Sequence, residues 1–187
     1  MRAEPESEPH PSKRPVTPLA GPYGHPFHPI LVTVPIGAWV ASLVFDVASR
    51  VTSDPAVFVR GSYWLIGIGL LGAAAAAMVG FLDLLAIPTG TRAFRTVLWH
   101  MAINLTVTAA YLANFLLRGA AQDPGAVPVG LLALSVASLA GLAAGGWLGG
   151  NLAYRYGVRV AAEATQAEGF TAPDRTASDV RTPSEGH

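Results

Sequence analysis

Three histidines and one aspartate are the residues of this chain whose types and spacing suit site chemistry. His25 and His28 each directly precede a proline, in the segment GHPFHPI at the start of an apolar run. His100 lies in another apolar run, and Asp83 closes a third. Imidazoles and a carboxylate are suitable ligands for zinc, iron or copper, and two neutral imidazoles can hold a haem iron. The alternatives are histidines that cap a helix and bind carbonyls or lipid head groups, or that handle protons.

Four apolar segments must position these side chains. The chain of 187 residues is 51% hydrophobic and 13% charged, whereas soluble domains carry about 25% charged residues. Each segment has close to the ~20 residues that cross a bilayer as a helix. We therefore expect an all-α integral membrane four-helix bundle, the domain covering 24–160, with spans at about 29–49, 62–84, 97–117 and 126–150. The polar, Pro-rich ends at 1–23 and 161–187 predict disordered cytoplasmic tails.

Charge and cysteine content narrow the function. The net charge is zero, which disfavours nucleic acid as a partner because such binding needs a basic surface. The chain has no cysteine, which excludes disulfides, iron–sulfur clusters held by thiolates and c-type haem attachment. Six lysines and arginines on the side of the termini, against three opposite, predict cytoplasmic termini in a bacterial inner membrane. No hydrolase motif is present, and we expect no catalytic activity of the chain on its own.

One face of the third span is polar along its length. Spacings of four and three residues place on one seam His100, Asn104, Val107, Tyr111, Asn114 and Arg118. Lipid cannot satisfy such groups, so the seam must face the bundle interior. It either joins helices by hydrogen bonds or lines a path for a cofactor, proton or ion.

At a rise of ~1.5 Å per residue, Asp46 reaches the depth of Asn114 and Arg118. This favours a buried Asp–Arg pair that fixes helix register, the alternative being a carboxylate in a proton or quinone site.

Small residues recur every four positions in two of the spans. They are Gly72, Ala76 and Gly80 in the second and Gly141, Gly145 and Gly149 in the fourth. Such stripes allow close approach of helix backbones. We interpret them as helix seams; the alternatives are a flat surface for a porphyrin and a face for a homo-oligomer.

The prolines constrain the two neighbouring histidines. A residue before proline is disfavoured in the α region, so we expect His25 and His28 in extended backbone and the helix to begin at Pro29. A polyproline-II segment repeats every three residues, which would point both imidazoles the same way. One of them would then pair with His100 across a haem or metal ion, while the other would take a place around that site without binding the metal. Pro35 should kink the first span.

The motifs GHPFHPILVTVPIGAWVASLVFD, LWHMAIN and GGWLGGNLAYRYGVRV resemble the bacterial transmembrane family catalogued as domain of unknown function 2231. The resemblance covers about 24–160 and implies a four-helix membrane domain with no assigned activity. The positions it carries over are His25, His28, Pro35, Gly37, Trp39, Asp46, Asp83, His100, Asn104, Gly149, Gly150, Tyr154 and Gly157. Similar domains are sometimes fused or adjacent to Rieske-type or cytochrome-type domains, which implies a redox partner protein.

Three functions fit these residues. The first is a redox-associated membrane subunit that binds b-type haem or a transition metal through His25, His28 and His100. Its surrounding polar groups would be Asp83, Asn104, Tyr111, Asn114, Arg118 and Asp46. The second is a non-catalytic membrane scaffold or interaction domain. The third is a small proton- or ion-linked transporter.

Overall fold

The computed structural model describes residues 10–120 and 125–170, in which the regular secondary structure is helical and no strand is present. Two short 3-10 helices, Pro11–Lys13 and Pro18–Ala20, precede the main elements. These are α1 (His28–Leu31), α2 (Thr33–Val51), α3 (Ala56–Leu84), α4 (Arg92–Ala120) and α5 (Val129–Gly150), followed by a π-helical turn (Asn151–Arg155) and α6 (Glu163–Glu168). The predicted all-α class is confirmed.

Prolines and a threonine set several of the helix ends. Pro55 and Pro128 occupy the N-cap positions of α3 and α5, where a missing N–H costs nothing. The Thr91 hydroxyl accepts the Phe94 N–H at 3.0 Å before α4, as an N-cap should. Pro35 cannot donate to the preceding turn, and the helix is interrupted just upstream of it, between α1 and α2.

Four helices in the described ranges are long and apolar enough to cross a membrane: His28–Val51, Ala56–Leu84, Arg92–Gly119 and Val129–Arg155. The first three predicted spans lie within these helices, and the fourth, 126–150, begins three residues before its helix. Their outer surfaces are apolar, with Leu71 and Trp147 both 75% exposed. The bundle centre is polar and includes Asp46 and Asn114, each fully buried. An apolar outside around a polar inside is the arrangement that a lipid environment favours, so the bilayer is the medium of this fold.

The helices pack as two antiparallel pairs. The first half of the membrane domain joins α1 and α2 to α3, and the second half joins α4 to α5. Contacts of α3 with α4 and of α2 with α5 close the ring. Helices α2 and α4 therefore lie on opposite sides of the bundle, run in the same direction, and meet through side chains that reach its centre.

The glycine stripes make room for side chains within each half. A Cβ built on Gly80 would stand 2.8 Å from His28 Nδ1, and one on Gly149 would stand 3.1 Å from His100 Cε1. The other predicted stripe positions of α5 behave alike: Gly145 faces Asn104 and Gly141 faces Val107. These glycines form the predicted helix seams, and the space they leave is filled by side chains of the neighbouring helix rather than by a planar cofactor.

The two halves repeat the same residue spacing. Counting from His28, an aromatic residue follows after 11 positions and a charged residue after 18; counting from His100, the same is true. The equivalent pairs are His28 with His100, Trp39 with Tyr111, and Asp46 with Arg118. Both halves begin with a helix running in one direction and end with a helix running back.

The hydrogen bonds between the two helices of each half repeat as well. His28 Nδ1 lies 2.8 Å from the Ala76 carbonyl, and His100 Nδ1 lies 2.8 Å from the Gly145 carbonyl. Each aromatic side chain donates to a carbonyl of the second helix of its half, ten residues before the carbonyl that the histidine contacts. Trp39 donates to Ile66 of α3 at 3.3 Å, and Tyr111 donates to Ser135 of α5 at 3.4 Å. The halves are thus related by a pseudo-two-fold axis along the bundle, the parallel kind of repeat known in membrane proteins.

The segments flanking the bundle contact each other, where we expected disordered tails. The Arg159 side chain donates to the Ala20 and Gly21 carbonyls at 2.9 Å each, and the Ala162 N–H donates to the Tyr23 hydroxyl at 2.8 Å. Arg159 has a φ of 60°, a strained conformation that costs about 1 to 3 kcal/mol and that these bonds offset. The remaining predicted tail, residues 1–9 and 171–187, lies outside the described residues.

Candidate functional site

Three side-chain pairs lie along the pseudo-two-fold axis. At one end the imidazoles of His28 and His100 have ring centroids 6.2 Å apart. In the middle, Trp39 stacks on Tyr111 with centroids 4.1 Å apart and an angle of 12° between the rings. At the other end, Arg118 pairs with Asp46. We call the two ends the histidine end and the ion-pair end.

The ion-pair end is a closed hydrogen-bond network that joins all four membrane helices. Arg118 donates from Nη1 and Nη2 to the two carboxylate oxygens of Asp46, at 2.7 Å each. Its Nε donates to Asn114 Oδ1 at 2.7 Å. Ser62 accepts from Arg118 at 2.9 Å and donates to Asp46. Asn114 donates to the Ser135 hydroxyl at 3.0 Å.

This network has the features of a structural element. Asp46 is fully buried and Arg118 is 9% exposed, and none of their buried polar atoms lacks a partner. A buried charge that loses its partner is costly, whereas a complete, bidentate pair fixes the relative position of its helices. Asp46, Asn114 and Arg118 therefore meet as predicted from helix depth, and they hold register, with no free lone pair or proton offered to a ligand.

The stacked aromatic pair forms the apolar core between the two ends. Trp39 and Tyr111 are buried together with Ile66 and Val107. Offset or stacked aromatic pairs add about 0.5–1.5 kcal/mol beyond their buried area. Tyr111, predicted as part of a polar path, has its hydroxyl directed to a backbone carbonyl, so the seam of α4 is interrupted by packed rings at mid-depth.

His28 lies inside the first helical turn rather than in the extended backbone expected before a proline. Helix α1 begins at His28, and its N-cap residue Phe27 also has helical dihedral angles. The Leu31 N–H donates to the Phe27 carbonyl at 3.0 Å, so the chain turns between Pro26 and Pro29. Because of that turn the two imidazoles of the HPFHP segment point apart. His28 is directed into the bundle, while His25 is exposed and lies 3.4 Å from the Tyr23 carbonyl.

His100 is held from two sides. Its Nδ1 faces the Gly145 carbonyl of α5. Asn104, one turn along α4, donates to the His100 carbonyl at 2.7 Å, and its Nδ2 lies 3.4 and 3.5 Å from the two ring nitrogens. The predicted neighbour relation of His100 and Asn104 is thus present, and the amide limits how the imidazole can rotate.

Both imidazoles are held in the same tautomer. A carbonyl oxygen only accepts, so at 2.8 Å the Nδ1 atoms of His28 and His100 must carry the proton and donate it. When the ring is neutral, Nε2 then holds the lone pair, and on His100 this atom lies 3.5 Å from the Asn104 amide nitrogen. A backbone acceptor on Nδ1 is the usual partner of a metal-ligating histidine, because it fixes the ring and raises the basicity of Nε2.

The other predicted ligands do not join this pair. His25 is exposed, and Asp83 forms an ion pair with Arg159, its Oδ1 lying 2.8 Å from Nε. Those two atoms are close but misaligned for a hydrogen bond. Within residues 10–120 and 125–170, no group of three or more His, Cys, Asp or Glu side chains is placed to hold one ion. The four-ligand set of three histidines and Asp83 is therefore not assembled.

Sequence reasoning missed the partners that complete these pairs. Ser62 and Ser135 were not singled out, although both are fully buried and bind the ion pair. Arg159 was counted only as a positive charge. The repeated spacing after His28 and His100 was a signal for the three pairs themselves, since an internal repeat predicts that equivalent residues meet on the symmetry axis, but it does not point to the serines or to Arg159.

Comparison with known proteins agrees with this architecture. The family model of domain of unknown function 2231, described as a predicted membrane protein, matches residues 24–162. No curated protein and no solved structure matches the chain. The matched region contains both halves of the bundle, the histidine pair and the ion pair. The chain belongs to the family of predicted membrane proteins defined by domain of unknown function 2231.

Proposed function

We propose that this chain is a membrane subunit that holds a transition-metal centre between His28 and His100 and serves a redox partner protein. The observation that carries the proposal is the paired Nδ1–carbonyl bonds at 2.8 Å, which place the lone pair of each neutral ring on Nε2. Imidazole is a common ligand of iron, copper and zinc. The centre is a haem iron or a single ion, and the chain itself performs no catalysis.

The position of the pair in the membrane supports the same role. Near the histidine end lie six basic residues, against three near the ion-pair end: Lys13, Arg14, Arg92, Arg95, Arg155 and Arg159 against Arg50, Arg60 and Arg118. By the positive-inside rule this bias favours cytoplasmic termini in the bacterial inner membrane. The metal centre would then lie near the cytoplasmic surface, within reach of a partner protein on that side.

The test is an absorption spectrum with elemental analysis of the detergent-purified protein. We expect a stoichiometric metal, and a Soret band if the metal is a haem iron. His28→Ala and His100→Ala should lose it, whereas His25→Ala, which removes an exposed histidine two residues before the helix N-cap, should keep it. A colourless, metal-free parent protein from metal- and haem-replete cells would contradict the proposal, as would equal losses in all three variants.

A non-catalytic scaffold is the second candidate. The saturated ion-pair network favours it, because complete polar networks rigidify a bundle without offering a ligand site. Under this function, His28→Ala and His100→Ala would weaken folding or partner capture and leave metal content unchanged. Metal analysis together with partner pull-down from the native membrane separates the two candidates.

A further inference from the structure

The spacing of the two imidazoles restricts what they can bind together. With a metal–nitrogen distance of about 2.0 Å and the nitrogen about 1.2 Å from the ring centre, imidazoles on opposite sides of one ion have centroids about 6.4 Å apart. At a tetrahedral angle the same lengths give about 5.2 Å. The observed separation of His28 and His100 is 6.2 Å, so a shared ion would be bound in a nearly linear arrangement.

The orientation of the rings agrees with this arrangement. Each Nδ1 points to the second helix of its own half, α3 for His28 and α5 for His100. Because Nδ1 of each ring is engaged, an ion shared by the two rings would bind at the two Nε2 atoms; on His100 that atom lies 3.5 Å from the Asn104 amide nitrogen. The ring planes are crossed at 77°, which keeps the ring hydrogens of the two imidazoles apart when both bind one ion.

The space around the pair suits a bare ion better than a porphyrin. The glycines that would give a macrocycle its flat surface, Gly80 and Gly149, are covered by the imidazoles themselves. Two cavities of about 410 and 290 Å³ are described, and neither is lined by His28 or His100. A haem stacked on these glycines would have to displace the imidazoles, whereas one ion has to fit only between the two rings.

The charge of the surroundings selects a low-charge ion. The two carboxylates within the membrane helices, Asp46 and Asp83, are already paired with Arg118 and Arg159. The histidine pair thus offers neutral ligands only. Because the cost of burying an ion rises with the square of its charge, a monovalent ion costs about one quarter as much as a divalent one.

We propose that His28 and His100 form a two-coordinate site for a monovalent d¹⁰ ion, Cu(I), bridging the two halves of the bundle. Cu(I) accepts two nitrogen ligands in a linear arrangement, whereas Zn²⁺ takes four in a tetrahedron. Imidazole is also an established copper ligand. This inference rests on the proposed metal-binding function and specifies its metal. It assigns the site to holding reduced copper on behalf of the partner, and no electron transfer step at the site is required.

The test titrates the detergent-purified, metal-stripped full chain with Cu(I) under anaerobic, reducing conditions against a chromophoric Cu(I) chelator. Parallel titrations use Zn²⁺ and haem. The informative variants are His28→Asn and His100→Asn, because the asparagine amide keeps a donor close to the Nδ1 position and removes Nε2. His25→Asn is the matched control. We expect one Cu(I) per chain, an affinity reduced at least about 100-fold in either site variant, and no change in the control.

X-ray absorption of the copper-loaded protein should give two nitrogen ligands in a nearly linear geometry. Equal loss in His25→Asn, or a site that takes up haem or Zn²⁺ but not Cu(I), overturns this inference and leaves the proposed metal-binding function in place. Failure to take up any of the three overturns both. Circular dichroism of each asparagine variant verifies that lost binding does not reflect lost helix.

Discussion

Exchanging the charges of Asp46 and Arg118 tests the two-fold relation between the halves. The double variant Asp46→Arg, Arg118→Asp places each charge at the equivalent position of the other half. Asn114, the hydrogen-bond partner of Arg118, has Ser42 as its own equivalent, since each lies 14 residues after the histidine of its half. Ser42 is also fully buried, so a guanidinium at position 46 would again have a polar side chain one turn before it.

The magnitudes follow from burial. Either single change leaves two like charges facing each other at sites that are 0% and 9% exposed. Loss of a buried partner costs about 3–5 kcal/mol, which in a chain of this size lowers the unfolding temperature by about 6–20 °C. The double variant restores the pair and should recover most of that loss, so the double-mutant cycle should show a coupling close to the sum of the two single losses.

Thermal unfolding in detergent, followed by circular dichroism, measures these differences. An apolar replacement of similar volume, Asp46→Leu with Arg118→Met, is the control, and we expect it to be neutral or stabilising if the pair acts through structure alone. A double charge variant as unstable as the worse single variant would refute the symmetry reasoning. Single variants with unchanged unfolding temperatures would refute the assignment of the pair as a determinant of stability.

Two further predictions concern the histidine end and the terminal segments. Gly80→Val should displace His28 and reduce metal content, whereas Gly37→Val, where an added Cβ meets nothing within 4 Å, should not; elemental analysis measures both. The N–H of Ala162 donates to the Tyr23 hydroxyl and lowers the pKa of Tyr23 below its usual value of 10.0. Because the folded-state pKa is the lower one, this contact adds stability as pH rises through it and loses that contribution as pH falls. Absorbance of tyrosinate should lose a component that titrates below pH 10.0 in Tyr23→Phe, and an unchanged titration would contradict the contact.

The four helices were predictable because hydropathy and length alone determine them. An apolar run long enough for the bilayer has no backbone alternative to a helix, and the predicted spans lie on the observed helices with ends shifted by a few residues. The pairing of Asp46 with Arg118 was also within reach, since helix rise fixes depth and buried charges require partners. These predictions needed only distances along single helices.

The conformation around His28 was not predictable in the same way. The preference of a pre-proline residue for extended backbone is a modest local bias. In the structure it is outweighed by the bond from His28 to the Ala76 carbonyl and by the helical turn at Phe27. Which histidine enters the bundle depends on the glycine at position 80 of another helix. That contact cannot be inferred from the residue pattern of a single helix.

The opposite charges on the axis also decide which halves can recognise each other. A half that met a copy of itself, carrying Asp46, would bring carboxylate against carboxylate in a dehydrated core. A half carrying Arg118 would bring guanidinium against guanidinium. Only the unlike combination is neutral at its centre, and both members of that combination are supplied by one polypeptide. A fold built from two similar hairpins, which by shape alone could assemble with any neighbouring copy in the membrane, is thereby directed to close upon itself.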